Sequence, residues 1–242
     1  MLDRLNLVRG SAGNGRRVPW ALFEAGVESL MDSTPARSQT PHASISSTVP
    51  RENRGTVRPV KSPSLTAISL PIPWAGFGFP DPLQTRSTTL AYGDIGWSWE
   101  PVLPAFQIPE CARRPGTPVP GWDLDHVVLL VPDLEMAVAT FLELELSPRL
   151  RIEVRGRPTA FFRVGPLLEV IESPVRAPAL FGIALVTEEP LEVVALRWRA
   201  MGRDVSDPKP AIQPGRRVLT VRDVEAGLAV MSPDTQVHDP GS

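Results

Sequence analysis

Of the three histidines in the 242-residue chain, His42 and His238 lie in polar tails, while His126 sits inside the apolar run Trp122–Val131 (WDLDHVVLLV). Glu169 sits likewise inside Leu167–Glu172 (LLEVIE). If both runs are strands, alternation puts His126 on a face with Leu124 and Val128, and Glu169 on a face with Leu167 and Ile171. A polar group on an apolar face needs a partner. An imidazole and a carboxylate offer three solutions: ligands of a divalent ion such as Zn, Fe, Mn or Ni, an acid/base pair, or a core hydrogen bond in which His126 donates to Glu169. Arg163 follows Phe161 and Phe162 on a third run. An arginine facing a cleft could grip a carboxylate or phosphate through two parallel hydrogen bonds. Successive strand residues point oppositely, so one of Phe161 and Phe162 can line that cleft while the other enters the core. Arg216 and Arg217 begin a strand and read as solvated. Cys111 is the single cysteine, which excludes an internal disulfide or a cysteine-based zinc site. No phosphate-binding glycine loop, HExxH or GxSxG pattern occurs.

The elements that must position these residues repeat. Trp122–Val131 reads as a buried strand, and Asp133 is a suitable N-cap for a helix over LEMAVATFLELEL, where Leu134, Ala137, Val138, Phe141 and Leu142 share one face. Strands follow at Leu150–Arg155, Thr159–Val164 and Leu167–Glu172, separated by Gly156-Arg157-Pro158 and Gly165-Pro166. The order strand, helix, three strands then recurs: Leu180–Thr187, a helix over Leu191–Met201 closed by Gly202, a short strand from Asp204-Val205, then Arg217–Arg222 and Gly227–Met231. Neither repeat could bury a core alone.

The stretch Asp125–Leu134 (DHVVLLVPDL), the strand Leu167–Glu172, the second-module strand Gly182–Val186 and the loop Lys209–Arg217 together resemble the vicinal oxygen chelate superfamily, which includes glyoxalases, bleomycin-resistance proteins and extradiol dioxygenases. The resemblance covers residues 121–234. It implies an α+β fold of two βαβββ modules forming a curved mixed sheet around a cleft. In the superfamily's metal enzymes, the first and last strands of each module supply the ligands, which casts His126 and Glu169 as metal ligands or catalytic residues. Module two breaks the pattern, because Gly182 stands opposite His126 and Ala229 opposite Glu169. Two donors make a poor catalytic metal site. The leading expectation is therefore a small organic ligand bound in the cleft, with Arg163, Phe161 and Phe162 as contacts, without a complete metal site. The alternatives are a divalent-metal lyase, isomerase or dioxygenase, and a metal-free acid/base or structural pair. A homodimer pooling His126 and Glu169 from two chains would be the route to a Zn, Ni, Mn or Fe site.

Residues 1–120 differ in kind. They hold 16 of the 28 prolines and 12 basic against 9 acidic residues, while the rest of the chain has 13 against 18. The segment from Asp32 to Pro63 has almost nothing apolar to bury and is expected to be disordered. Trp20–Met31 has the pattern of a short amphipathic helix. Composition reads 71–108, with its tryptophans and phenylalanines, as a low-complexity extension, with a partner-binding segment as the functional alternative. The whole of 1–120 is accordingly expected to be a disordered extension, 235–242 a disordered tail, and Val119 an alternative start. The net charge of −2 gives no general case for nucleic acid. No apolar run spans a membrane, and the expected compartment is the cytoplasm.

Overall fold

The computed structural model describes residues 62–102 and 105–233; the expectations for 1–61 and for the tail lie outside these residues. From Ser64 onward the chain departs from the expected extension. Five short strands, β1 (Ser64–Leu70), β2 (Leu83–Gln84), β3 (Thr89–Tyr92), β4 (Gly96–Glu100) and β5 (Thr117–Pro118), form one sheet in the order β4-β1-β3-β2-β5. A register shift between Leu65 and Ala67 lets Leu65 join Ile68 and Leu70 on the buried face. Trp74, Phe77, Phe79, Trp97 and Trp99 are all buried. They are therefore core rather than an exposed partner-binding segment. Burying an aromatic side chain of about 150–250 Å² is worth at most roughly 4–6 kcal/mol by area, enough to order a chain poor in regular structure.

Residues 122–231 build the duplicated unit. Module one runs β6 (Trp122–Val131), α1 (Leu134–Glu143), β7 (Leu150–Val154), β8 (Arg157–Arg163) and β9 (Leu167–Glu172). Module two runs β10 (Ala179–Thr187), α2 (Leu191–Ala200), β11 (Lys209–Pro210), β12 (Arg217–Val221) and β13 (Gly227–Met231). Asp133 accepts a hydrogen bond from Met136 N at 2.9 Å and starts α1, while Gly202, at φ 82°, closes α2. The short strand expected from Val205 is displaced to Lys209–Pro210, and Val205 itself makes a single bridge to Val221.

All eight strands form one sheet, β11-β12-β13-β10-β6-β9-β8-β7. In each module the first strand pairs parallel with the last, and the two first strands meet antiparallel. One face packs α1 and α2 through Val127, Leu129, Val131, Leu168, Ile183 and Val230. On the opposite, helix-free face, Val128, Leu130, Ile171, Ala184, Val218, Ala229 and Met231 form a second buried cluster. Val175, Phe181 and Ala211 pack against this cluster and help to close it off.

The N-terminal sheet packs on the helix-bearing side. Phe77 and Trp198 lie 4.9 Å apart between ring centroids, Phe79 and Trp122 4.8 Å, and Phe106 and Phe141 4.8 Å. Trp198 Nε1 donates to Phe77 O at 3.1 Å, and Leu65 N donates to Val164 O at 2.7 Å. Both sheets share one hydrophobic core.

Candidate functional site

Strict alternation would put Leu124 and His126 on one face. A β-bulge at Asp125 prevents this, because Ala184 pairs with His126 while Leu185 pairs with Leu124. Leu124 consequently enters the helix-side core, correcting its expected place beside His126. The second irregularity in this strand pair lies between Leu180 and Gly182, at Phe181. Asp125 and Phe181 thus occupy equivalent positions in the two modules.

Strand pairing places Arg163, Leu167, His126, Ala184, Ala229 and Thr220 in one row across β8, β9, β6, β10, β13 and β12. The adjacent row contains Phe161, Glu169, Val128, Gly182 and Gly227. Phe161 therefore shares the face of Glu169. Phe162 points the other way and packs on the Phe141 ring at 4.3 Å between centroids, so it is core and leaves the expected ligand contacts. Arg163 stands exposed at the far end of the His126 row.

At the centre, His126 is 9 % exposed and Glu169 1 %. His126 Nε2 lies 3.4 Å from Glu169 Oε2, within ion-pair distance but without a hydrogen bond. The ring bonds on its other side, where Nδ1 is 2.7 Å from Asp125 Oδ2. The simple core hydrogen bond from His126 to Glu169 is thus replaced by one to Asp125. Asp125 Oδ1 accepts from Arg216 Nη2 at 2.6 Å. Arg216, 8 % exposed, also donates through Nε to Ser232 O at 2.9 Å and through Nη1 to Gln213 Oε1 at 2.5 Å. The expectation that Arg216 is solvated is overturned, since its guanidinium is enclosed and neutralised by Asp125. Arg217 is exposed and pairs with Glu192.

The electrostatics follow from this enclosure. Burial alone would raise the Asp125 carboxyl, but the hydrogen bond and charge of His126, with Arg216, hold it below the usual carboxylate range. An ionised Asp125 accepts only, so His126 Nδ1 is the donor. Burial pulls the imidazole down, and the hydrogen bond and charge of Asp125, aided by Glu169, outweigh it and raise the group. Glu169 is pushed up to about 7 by burial, with Asp125 adding and His126 opposing. Its Oε1 is buried and has no hydrogen-bond partner.

A divalent ion does not fit the donors present. His126 Nε2 and Glu169 are two, and Asp125 is turned to the opposite edge of the ring, where Arg216 holds it. Among the described residues no group of three His, Cys, Asp or Glu could hold an ion. Module two could not easily supply another. A Cβ on Gly182 would lie 2.1 Å from Gly227 O, and Ala229 has no donor.

No protein-family model and no curated protein matches the sequence. Among solved structures, a hypothetical protein from Bacillus halodurans is similar at 17% identity and TM-score 0.42, over 49% of this chain and 99% of that one. Methylmalonyl-CoA epimerase from Mycobacterium tuberculosis is similar at 16% identity and TM-score 0.39, over 46% and 87%. A Streptomyces coelicolor methylmalonyl-CoA epimerase variant in complex with 2-nitronate-propionyl-CoA gives 16%, 0.38, 46% and 94%. Likenesses this distant carry no argument about activity. The strand order and pairing of the chain itself are what describe the architecture: residues 122–231 form two βαβββ modules joined in one eight-stranded mixed sheet, the arrangement that the sequence resemblance implied.

Proposed function

We propose that the helix-free face around His126 and Glu169 binds a small organic molecule, one that offers a hydrogen-bond donor to Glu169 Oε1 and a polar group to His126 Nε2. The observation that carries this reading is the orphaned Oε1. A buried acceptor without a partner costs about 1–3 kcal/mol, and a turn of the Glu169 side chain that brings Oε1 out to a ligand N–H or O–H removes that cost. Asp125 occupies Nδ1, so Nε2 is the ring atom that meets the ligand. Phe161, fully buried, gives Glu169 apolar surroundings, and Arg163, exposed, supplies positive charge at the rim.

Acetamide is a suitable probe because its N–H and C=O are adjacent. At a ceiling of about −1.5 kcal/mol per heavy atom, its affinity falls in the weak, fragment range. Saturable shifts of the His126 ring signals on adding acetamide, abolished by Glu169→Ala in a folded variant, are the expected result. Absence of any saturable shift with acetamide or pyruvate overturns the reading.

Proton transfer on the bound molecule is a second reading, favoured by the Glu169 carboxyl at about 7, which populates both protonation states near neutrality. A carbon-bound proton would pass to the Glu169 carboxylate and be replaced from solvent. Deuterium wash-in at the pyruvate methyl, lost in Glu169→Gln, checks this; no wash-in removes catalysis and leaves binding.

A further inference from the structure

Module two, whose strands place Gly182 and Ala229 where module one has His126 and Glu169, still reaches the site by another route. From the turn before β12, Arg216 crosses to module one and meets Asp125, its partner 91 residues earlier in the chain. We propose that Arg216 and Asp125 are positioning residues: Arg216 locks the Asp125 carboxylate, and Asp125 holds Nδ1–H of His126 so that Nε2 is directed at Glu169 and the ligand face. This deepens the ligand-binding reading of the same site and rests on it for its functional meaning.

Three observations support the assignment independently of that reading. The bulge at Asp125 is what brings two consecutive strand residues to bear on each other, since regular alternation would send them to opposite faces. The guanidinium is anchored from three directions, by Ser232 O, Gln213 Oε1 and Asp125 Oδ1, and is nearly inaccessible. A buried arginine with every arm committed is a fixed piece of architecture rather than a mobile surface charge. Around the ring, the charged groups are Asp125 on β6, Glu169 on β9 and Arg216 before β12, whereas Ala184 on β10 and Ala229 on β13 bring none. With Nδ1 committed, the imidazole cannot flip without breaking a 2.7 Å hydrogen bond and leaving a half-buried carboxylate oxygen without its donor. The arrangement matches the way a carboxylate fixes ring orientation in other histidine sites.

The test uses the full chain. With three histidines in the sequence, ring signals are few and His126 is assigned by its loss in His126→Ala. In the unsubstituted protein the Nδ1–H proton should appear far downfield and exchange slowly with water. Arg216→Gln should lose that signal and alter the ring nitrogen shifts, and Arg216→Lys should restore part of it. Asp125→Asn should lose it whatever stands at 216. Circular dichroism and thermal unfolding establish which variants are folded. If folded Arg216→Gln keeps the protected proton and unchanged ring shifts, the positioning role is wrong. Should Arg216→Gln not fold, Arg216→Lys and Asp125→Asn decide alone: an unchanged ring in both also overturns it. The readout needs no ligand, so failure of the acetamide titration with a protected Nδ1–H rejects the binding reading and leaves the positioning in place.

Discussion

The Glu169 carboxyl ionises in the folded chain at about 7, against a reference of 4.5. The folded protein therefore holds this proton more tightly than the unfolded chain does. Its contribution to stability is complete below pH 4.5 and is lost as pH rises through 7, an effect on the order of 3 kcal/mol. His126, also raised, loses its contribution on the alkaline side of its ordinary range, whereas Asp125, lowered, loses its own only on strong acidification. Glu169→Gln should flatten the fall in stability between pH 4.5 and 8. Urea unfolding at a series of pH values checks this, and parallel curves for the two proteins would count against a buried, raised Glu169. His126 and Glu169 were legible in the sequence as lone polar residues in apolar runs. Asp125 and Arg216 were not. Alternation assigns Asp125 to the wrong face unless the bulge is known, and a basic residue beginning a strand looks solvated until its carboxylate partner arrives from the other module.

At the scale of strands, β10 and β13 come together so closely that Gly182 has room for no side chain. A Cβ there would meet Gly227 O at 2.1 Å and Gly227 Cα at 2.5 Å. Gly182→Ala must push backbone, not a flexible side chain, and should cost about 1–3 kcal/mol or more. Thermal unfolding measures it; an unchanged midpoint would show that the strands separate without strain. Much of the duplicated unit was legible because hydrophobic period and turn residues agree: β9 and β13 span the expected residues, and Asp133 caps α1 as its spacing implied. The displaced β11 shows the limit of such reading. Two residues carry too little pattern for a strand to be recognised, and only the neighbouring β12 makes Lys209 and Pro210 one.

For the molecule as a whole, the N-terminal sheet and the duplicated unit stand or fall together. Trp198 is fully buried at their seam, stacked with Trp122 at 5.9 Å and edge-on to Phe77. Trp198→Ala should cost about 3–5 kcal/mol and lower the stability of both sheets in a single transition. Calorimetry with two resolved transitions would refute that linkage. Composition could not reveal this sheet. Two of its strands have only two residues, β1 pairs with partners that follow it along the chain at a distance, and its aromatics find their neighbours in a different half of the sequence. A chain beginning at Val119 would leave Trp198 and Phe141 without those neighbours. The Trp198 indole also has an optical consequence, because its Nε1 donates to Phe77 O across the seam and its ring is closed to water. Parting of the two sheets breaks that hydrogen bond and wets the ring, so the Trp198 share of the fluorescence, read as the difference from Trp198→Phe, should move to longer wavelength even if each sheet kept its own strands.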